Sequence, residues 1–329
     1  MRLRTPARLL VTASLALAVA ACGGSGGTAT SRITSSPGAP GSGALLPTTG
    51  GTGNVAIASA NFPENQILAE VYRQALAGAG YTATVKSLTT RPVILKALES
   101  GDVQVEPDYV GSMAKYLNKE KTGSDDLGVD DSDLQATLGK AKALATEKGL
   151  TVLTPSPAAD QNAFAVTRAF ADANHLTKLS DLAAYTGPLV LGGTPECKTY
   201  EQCQPGLEKT YGLAFTGFEQ TDLGGTLSVS KLKSGKVQLG EFLSSDGNVK
   251  ANDFVVLEDD KKLQSVDNVV PVVAQSVSGD AVLKDVLDKV SAAMTTDDLI
   301  ALNATVSVDR KLPAQAATDF LKGKGLVAA

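Results

Sequence analysis

The sequence predicts an α/β protein with two sheet-based lobes and a ligand cleft between them. Strand and helix patterns alternate over residues 55–105, which is typical of a parallel sheet with right-handed crossovers. A second alternating set begins near residue 163. Ligands of open α/β sheets bind beyond the carboxyl ends of the strands, here residues 106–111 and 242–247. We therefore expect the binding site in the cleft between the two sheets.

The first set is a strand–helix–strand–helix–strand run. Residues 55–59 read as a buried strand, and the helix after it has a proline and a glutamate in its first turn and apolar residues at helical spacing. Residues 81–88 alternate as a strand. Residues 92–100 form a short helix that ends at Gly101, and the next strand covers residues 103–105.

The second set and the C-terminal tail continue this alternation. The predicted strands are residues 163–167, 189–192, 237–242, 254–258 and 270–277. The predicted helices are residues 178–184, 205–211, 226–233, 281–294, 296–304 and 314–322. This body is long enough for one large or two medium α/β domains.

A short internal echo links the two sets. Residues 97–109 read ALESGDVQVEPDY, and residues 231–243 read KLKSGKVQLGEFL. Each segment is a helix end, a Ser-Gly stop and a strand that begins with Val-Gln. The match is too short to establish a duplication, but it favours two similar sheet-based lobes.

The N-terminal segment predicts export. Basic residues precede an apolar run over residues 9–21 that is too short to span a membrane comfortably, and small residues end it. Cys22 directly after them resembles the bacterial lipoprotein box, in which the cysteine is lipidated. The alternative is an ordinary secretory signal with an incidental cysteine. We expect residues 1–21 to be a lipoprotein signal peptide and the protein to lie on the outer face of the cell membrane, held through lipid only.

The segment after the signal predicts a flexible linker. Residues 22–53 consist mostly of Gly, Ser, Thr, Ala and Pro, which cannot bury a core. The whole chain has 30 basic and 35 acidic residues, a formal charge of −5 and no basic cluster. This balance argues against nucleic acid or an anionic lipid surface as a partner.

The sequence shows no pattern of a catalytic site. It contains no P-loop, His-Glu-x-x-His or EF-hand motif. Gly-x-Ser-x-Gly occurs at residues 23–27, in the linker rather than on a strand-to-helix elbow. His175 is the one histidine and lies beside a predicted helix, so it reads as an exposed or capping residue. We expect a protein that is not an enzyme and needs no metal or cofactor.

Two cysteines remain after Cys22. Cys197 and Cys203 lie six positions apart in a segment flanked by Gly and Pro. In an oxidising compartment this pair predicts a short disulfide loop. A metal or redox pair is the weaker alternative, because the spacing differs from Cys-x-x-Cys and the histidine lies elsewhere. The disulfide would pin a surface loop.

Five segments together resemble a known family. They are residues 60–68 (ANFPENQIL), 97–111 (ALESGDVQVEPDYVG), 205–213 (PGLEKTYGL), 244–247 (SSDG) and 254–260 (FVVLEDD). They are similar to the quaternary-amine-binding proteins of osmoprotectant ABC importers, the ProX/OpuC-type receptors for glycine betaine, choline and carnitine. The resemblance implies a type II periplasmic-binding-protein fold that closes on a small molecule by hinge motion and delivers it to permease and ATPase subunits.

The resemblance also implies the domain limits. Lobe I would comprise residues 54–156 plus 249–329, and lobe II residues 157–248. The chain would cross between the lobes twice, near residues 155–161 and 244–250. We expect one ligand per monomer.

Aromatic side chains are the first candidates for ligand contact, because a quaternary ammonium donates no hydrogen bonds and each ring face contributes ~0.5–2 kcal/mol. Tyr109 matches the tyrosine of the family's Glu-Tyr-Thr-Gly stretch, and Phe164 stands where many relatives have tyrosine. The other candidates are Asn61, Phe62, Asn65, Thr90, Arg91, Asp108, Gln161, Asn162, Leu243, Ser244 and Ser245. Core packing is the alternative for Phe164, helix capping for residues 61–65 and a hinge turn for residues 244–246.

The sequence departs from the family's pattern at several of these positions. Leu243 stands at an expected tyrosine, Thr90 lies in a Thr-Thr-Arg segment where relatives have Gly-Gly-Thr, and Gln204 replaces a frequent tyrosine. Two ligand classes therefore remain: a quaternary-amine osmoprotectant, or a neutral aromatic or polyhydroxylated molecule. Two other functional classes are alternatives to a receptor: a surface lipoprotein that acts without a ligand, and an enzyme.

Overall fold

Two five-stranded sheets form the framework of the protein. The computed structural model describes residues 45–327, so the predicted signal peptide, Cys22 and most of the predicted linker lie outside the described residues. In chain order the strands are β1 (Asn54–Ser59), β2 (Thr82–Ser87), β3 (Val105–Tyr109), β4 (Leu150–Val152), β5 (Asn162–Thr167), β6 (Val190–Gly193), β7 (Gly217–Gln220), β8 (Leu239–Leu243), β9 (Phe254–Val256) and β10 (Val269–Ala274).

The two sheets share one topology. The strand orders are β2-β1-β3-β10-β4 and β7-β6-β8-β5-β9. In the first sheet β1 runs parallel to β2 and β3, and β10 runs antiparallel to β3 and β4. In the second sheet β6 runs parallel to β7 and β8, and β5 runs antiparallel to β8 and β9. The predicted parallel run is therefore confirmed for β1 to β3, but each sheet is mixed.

Helices cover both faces of the sheets. In chain order they are α1 (Pro63–Gly78), α2 (Arg91–Ser100), α3 (Val110–Thr122), α4 (Leu134–Glu147), α5 (Arg168–Asn174), α6 (Gln204–Tyr211), α7 (Thr226–Lys233), α8 (Gly247–Ala251), α9 (Ala281–Ala293), α10 (Thr296–Ser307) and α11 (Pro313–Gly323). The predicted helix over residues 178–184 is a 3-10 turn at Leu179–Ala184. Across residues 45–327, none of the helices is both long and apolar enough to cross a membrane.

The first sheet lies between two hydrophobic clusters. One cluster unites α1 with α9, α10 and α11, and Tyr72 in its centre is 1% exposed. The other unites α2, α3 and α4 around Met113 and Leu144. Helices α3 and α4 were not among the predicted elements, although Val110, Met113 and Leu117 are spaced for one helical face. Their burial explains why this lobe needs both helices.

The sequence echo corresponds to the same local structure in both sheets. The Gln104 side chain accepts a hydrogen bond from the Ala56 N–H (2.8 Å), and its amide donates to Gly101 O (2.7 Å). Gln238 makes the equivalent bonds in the second sheet, to the Val190 N–H (3.0 Å) and to Gly235 O (2.7 Å). Each glutamine thus joins the helix stop before it to the neighbouring parallel strand.

The second lobe extends further along the chain than the predicted limit at residue 248. β9 pairs with β5, so residues 254–256 belong to the second sheet. The chain returns to the first sheet only between β9 and β10. Residues 244–251 do reach the first lobe, since α8 packs on α10 and Asn303 donates a hydrogen bond to Ser245 O (2.9 Å). A Cβ at Gly247 would lie 2.4 Å from the Ala304 nitrogen, so this approach needs glycine.

The predicted disulfide is confirmed. Cys197 and Cys203 are bonded, with 5.0 Å between their Cα atoms. Both side chains are buried, 1% and 0% exposed, beside the carboxyl group of Glu241. Because each sulfur is bonded to the other, this cluster offers no thiolate pair to a metal ion.

Candidate ligand-binding site

A cavity of about 350 Å³ lies where both sheets present the carboxyl ends of their central strands. Its wall includes Tyr109 at the end of β3 and Leu243 at the end of β8. The segments between the sheets complete it, with Asp160 and Gln161 from the first crossing and Asp267 from the return. This position agrees with the rule that open α/β sheets bind ligands beyond their carboxyl ends.

Three aromatic rings line the cavity. Phe62 and Tyr109 stack with their ring centroids 6.4 Å apart and their planes at 28°. Both residues sit at N-cap positions, Phe62 of α1 and Tyr109 of α3, so the backbone directs them to the sheet edge. Tyr200 contributes a third ring to the wall from the second lobe and is 47% exposed. The rings provide the apolar and π surface of the site.

A hydrogen-bond chain holds the Tyr109 hydroxyl. It donates to the buried carboxylate of Glu64 (2.6 Å), and burial followed by that negative charge raises the pKa of Tyr109. The other oxygen of Glu64 accepts a hydrogen bond from Asn303 (2.5 Å), whose amide also donates to Ser245 O. The chain keeps the phenol neutral and connects the ligand cavity to the segment between the lobes.

The two basic side chains of the cavity wall are both paired. Arg91 forms a two-pronged ion pair with the buried Asp108, with Nη2 2.7 Å and Nε 3.1 Å from Oδ1. Lys115 lies 2.8 Å from the carboxylate of Asp131. The acidic partners offset both positive charges, so neither cation makes the cavity an anion site.

Two further carboxyl groups face the cavity. Asp267 accepts hydrogen bonds from the backbone N–H groups of Gly111 and Ser112, both at 2.9 Å, and from the Ser112 hydroxyl. Burial raises the pKa of Asp267 to about 6, and these bonds limit the rise. The first turn of α3 therefore fixes one carboxyl group in the cavity wall.

Asp160 occupies a less polar position. Its carboxyl group accepts a hydrogen bond from Ser245 Oγ (2.6 Å). Burial, followed by the negative charge of Glu64, raises the pKa of Asp160 to about 8. Burying a carboxylate near another carboxylate is costly, and a bound cation would offset that cost. The cavity therefore combines ring faces with carboxyl groups that favour positive charge.

The structure brings many of the predicted ligand residues together. Those in the cavity wall are Phe62, Arg91, Tyr109, Gln161, Asn162 and Leu243. Asn162 and Leu243 lie opposite each other in the β5–β8 pair. Their position at the strand end explains why both reach the cavity.

The other predicted residues lie outside the cavity wall. Phe164 is 1% exposed and packs in the hydrophobic core of the second lobe, two residues along β5 from the strand end at the cavity. Asn65 is buried and links Ala60 N (2.7 Å) to Pro107 O (2.8 Å). Asn61 is exposed and precedes Phe62, which takes the N-cap position predicted for Asn61.

The remaining predicted residues lie outside the cavity wall and bond the segments that carry it. Thr90 is the N-cap residue of α2, and Asp108 is occupied by Arg91. The Ser244 hydroxyl bonds Ala159 O (3.1 Å) and Gln161 N (3.0 Å) in the segment between the lobes. Ser245 is 1% exposed and bonds Asp160. The hinge-turn alternative therefore describes these serines.

Several cavity residues had no prediction. They are Gly111, Ser112, Lys115, Asp160, Tyr200, Gln202, Gln264, Ser265 and Asp267. Four had a usable signal: Gly111 ends the predicted strand-end segment 106–111, Asp160 directly precedes Gln161 in the predicted crossing, and Tyr200 and Gln202 lie inside the predicted disulfide loop. The others converge only when the return segment between β9 and β10 folds over α3.

The protein has two mixed sheets joined by crossing segments, and a cavity lies between their strand ends. This arrangement is that of a solute-binding protein. Residues 53–323 match the family model described as "Substrate binding domain of ABC-type glycine betaine transport system". The chain belongs to this family. Proteins of this family bind solutes outside the cytoplasm for ABC importers and are not enzymes.

Individual relatives agree with this assignment. The chain is 28% identical over 273 residues to the "Glycine betaine-binding protein YehZ" of Escherichia coli K12, covering 80% of this chain and 88% of the relative. It is 27% identical over 277 residues to the "Glycine-betaine-binding protein" of Pseudomonas aeruginosa, covering 81% and 86%.

Solved structures support the same fold. A structure of apo YehZ from E. coli matches with a TM-score of 0.72 and 27% identity, covering 83% of this chain and 99% of that one. A structure titled as a glycine betaine/carnitine/choline ABC transporter also matches with a TM-score of 0.72, at 24% identity, covering 82% and 98%. The predicted family and fold are both confirmed.

Proposed function

We propose that this protein is a lipid-anchored, extracytoplasmic receptor that captures a quaternary-amine osmoprotectant and delivers it to an ABC permease and its ATPase. The ligand is of the glycine betaine, choline or carnitine type. Hinge closure of the two lobes encloses it. Family membership and the names of the relatives support the transport role.

The observation that carries the ligand class is the pairing of ring faces with carboxyl groups in one cavity. Phe62, Tyr109 and Tyr200 offer π surfaces to a trimethylammonium group, each worth ~0.5–2 kcal/mol. Asp160 and Asp267 place carboxyl groups at the same wall, and a cation bound there favours their ionised forms. A permanent cation gains from both features, whereas a neutral ligand gains from the rings alone.

The other end of the ligand would meet polar donors. The side-chain amides of Gln161, Asn162 and Gln202 line the second-lobe side of the cavity. The Gln161 amide and the second amide hydrogen of Asn162 can donate to a carboxylate or a hydroxyl group, whereas the Gln202 amide already donates to Ser265 Oγ and Leu263 O. This arrangement suits a small zwitterion or an amino alcohol, with its cationic end at the rings.

A neutral aromatic or polyhydroxylated ligand is the second candidate. The observation that favours it is Leu243, an aliphatic wall at the position where the family resemblance implies a tyrosine. Loss of one ring weakens a cage for quaternary ammonium groups but still leaves apolar surface for other ligands.

Titration calorimetry of the full chain in detergent tests the ligand class. Glycine betaine, choline and carnitine are compared with polyols, sugars and phenolic compounds. We expect only the quaternary amines to bind at micromolar concentration, with one ligand per chain. Binding of polyols or phenols alone would establish the second candidate, and no binding at all would reject the receptor role.

A matched pair of tyrosine variants tests the site. Tyr109→Ala removes a cavity ring, and we expect the affinity for glycine betaine to fall about 10- to 30-fold. Tyr116→Ala is the control, because the Tyr116 hydroxyl bonds Glu120 on the same helix, outside the cavity wall. Equal effects of the two substitutions would contradict the assigned site.

The lipid anchor is tested separately. Mass spectrometry of the mature protein would show lipid on Cys22, and Cys22→Ser would release the protein from the membrane fraction. Unchanged membrane association of Cys22→Ser would overturn the anchor while leaving the receptor role intact.

A further inference from the structure

The disulfide loop reaches the ligand cavity. We define the clasp as residues 197–203, which the Cys197–Cys203 bond closes into a ring. Both cysteines are buried in the hydrophobic cluster of the second lobe. Tyr200 and Gln202 lie between them and contribute side chains to the cavity wall. A covalently closed loop therefore carries part of the site.

Gln202 is the centre of a hydrogen-bond network. Its backbone carbonyl accepts from Gln264 Nε2 (2.8 Å) and Asn162 Nδ2 (3.3 Å). Its side-chain nitrogen donates to Ser265 Oγ (2.5 Å), and its side-chain oxygen accepts from the Tyr200 hydroxyl (2.5 Å). The orientation of the two clasp side chains is thus coupled.

The network continues onto the first lobe. Lys115 on α3 lies 3.5 Å from the Gln202 side-chain oxygen and 2.5 Å from Ser265 Oγ. Ser265 also donates to Asp131 Oδ2 (2.6 Å), and Asp131 pairs with Lys115. Gln202 therefore bridges the second lobe to a closed polar ring on the first lobe, beside the cavity.

The disulfide gives this bridge its rigidity. Tyr200 is 47% exposed, and Thr199 and Glu201 beside it are exposed as well, so few packing contacts hold the middle of the loop. Cross-linking its two buried ends reduces the conformational freedom that ligand binding would otherwise have to remove.

We propose that the disulfide-closed clasp is the fastening between the lobes: it positions Tyr200 and Gln202 over the bound solute, so the ligand residence time depends on the Cys197–Cys203 bond. This inference rests on the proposed receptor function. It assigns the disulfide a role in binding in addition to any role in stability.

The experiment compares four forms of the full chain with the unmodified protein: Gln202→Ala, Tyr200→Ala, the double substitution Cys197→Ser/Cys203→Ser, and Thr199→Ala as control. Thr199 lies in the clasp but is exposed, outside the cavity wall, and its hydroxyl bonds only Glu196 O, just before the clasp. Stopped-flow dissociation of glycine betaine and of choline gives koff, and thermal unfolding gives Tm. Hydrogen exchange of the ligand-free forms reports on the clasp and on residues 263–267.

We expect Gln202→Ala and the double cysteine variant to raise koff about 3- to 10-fold, the loss that one or two hydrogen bonds produce. Tyr200→Ala should act similarly, and Thr199→Ala should match the unmodified protein. Gln202→Ala should lower Tm by no more than about 4 °C, the shift expected from its few hydrogen bonds, so a rise in koff without a larger loss of Tm separates a binding role from a folding role. If koff stays within twofold in both Gln202→Ala and the double cysteine variant, the proposal is overturned.

The ligand-free measurement keeps the two proposals distinguishable. Faster exchange at residues 263–267 in Gln202→Ala and in the cysteine variant supports the clasp even if neither glycine betaine nor choline binds, an outcome that would reject the receptor proposal. Normal ligand binding with unchanged exchange and unchanged koff would reject the clasp alone.

Discussion

The cleft-facing edges of the two lobes differ in chemistry although their sheets share one topology. The echoed segments end at Tyr109 in β3 and at Leu243 in β8, and both residues line the cavity. Tyr109 brings a ring and a buried hydrogen-bond chain, whereas Leu243 brings only aliphatic surface. The second lobe supplies its ring from Tyr200 in the disulfide loop instead. The shared topology therefore positions strand ends, and the residues at those ends decide the ligand chemistry.

The largest effect should come from the aromatic residue that packs inside a lobe rather than at its edge. Phe164→Ala removes a ring from the core of the second lobe, and we expect a loss of about 3–5 kcal/mol in the free energy of unfolding. The affinity for ligand under folding conditions should change less than threefold. Denaturant unfolding and calorimetry measure the two quantities. An affinity loss as large as that of Tyr109→Ala would show that Phe164 contributes directly to ligand binding.

The acidic residues between the lobes predict a pH dependence. Burial raises the pKa of Asp160 to about 8 and that of Asp267 to about 6, above the ordinary value near 4. The folded chain therefore holds protons that the unfolded chain releases, and this contribution to stability is complete below about pH 4 and is lost as the pH rises to about 8.

The same ionisation should favour a permanent cation. The affinity for choline, which does not titrate, should rise with pH between about 6 and 8, by at most tenfold per pH unit if one proton is released per ligand. Asp160→Asn should flatten both the affinity slope and the stability slope, whereas Asp309→Asn at an exposed position should change neither. An unaltered slope in Asp160→Asn would show that another group titrates.

The repeated glutamines allow a direct comparison of the lobes. Gln104→Leu and Gln238→Leu each remove a pair of equivalent hydrogen bonds, and we expect each to lower the free energy of unfolding by about 1–2 kcal/mol. The affinity should not change, since neither side chain lines the cavity. A cost in one lobe only would show that the two sheets use the motif differently.

The smallest effect tests the difference between the strand ends. Leu243→Tyr adds a ring to the second lobe, and we expect choline and glycine betaine to bind about 2- to 5-fold more tightly. Leu243→Met is the control, because it preserves an apolar wall without a ring. Calorimetry that shows no gain for the tyrosine variant would exclude a ring contribution at this edge.

Many ends of helices and strands follow from local sequence patterns. Gly101 ends α2 with a φ of +79°, and Gly212 ends α6 with a φ of +69°, both at positions where the sequence alone predicts a helix stop. The echo places Gln104 and Gln238 at equivalent positions of the two segments. Such signals are local, since a helix stop or a buried strand depends on neighbouring residues.

Other assignments required long-range information. The sequence places β9 after a presumed lobe boundary, but its pairing with β5 sets it in the second sheet. Phe164 and Tyr109 are both aromatic residues on strands, but Tyr109 ends β3 at the cavity, whereas Phe164 lies inside β5 in the core of the second lobe. Pairing partners and sheet faces depend on contacts between distant segments, which a single sequence does not reveal.

The sequence by itself determined the alternation of strands and helices, the family and the disulfide pair, because each depends on residue type and short spacing. The tertiary structure decided which side chains meet: Asp160, Asp267 and Lys115 come from separate segments, and Tyr200 reaches them from the second lobe. The raised pKa values of Asp160 and Asp267 follow from burial and from neighbouring charges, which exist only after the chain has folded.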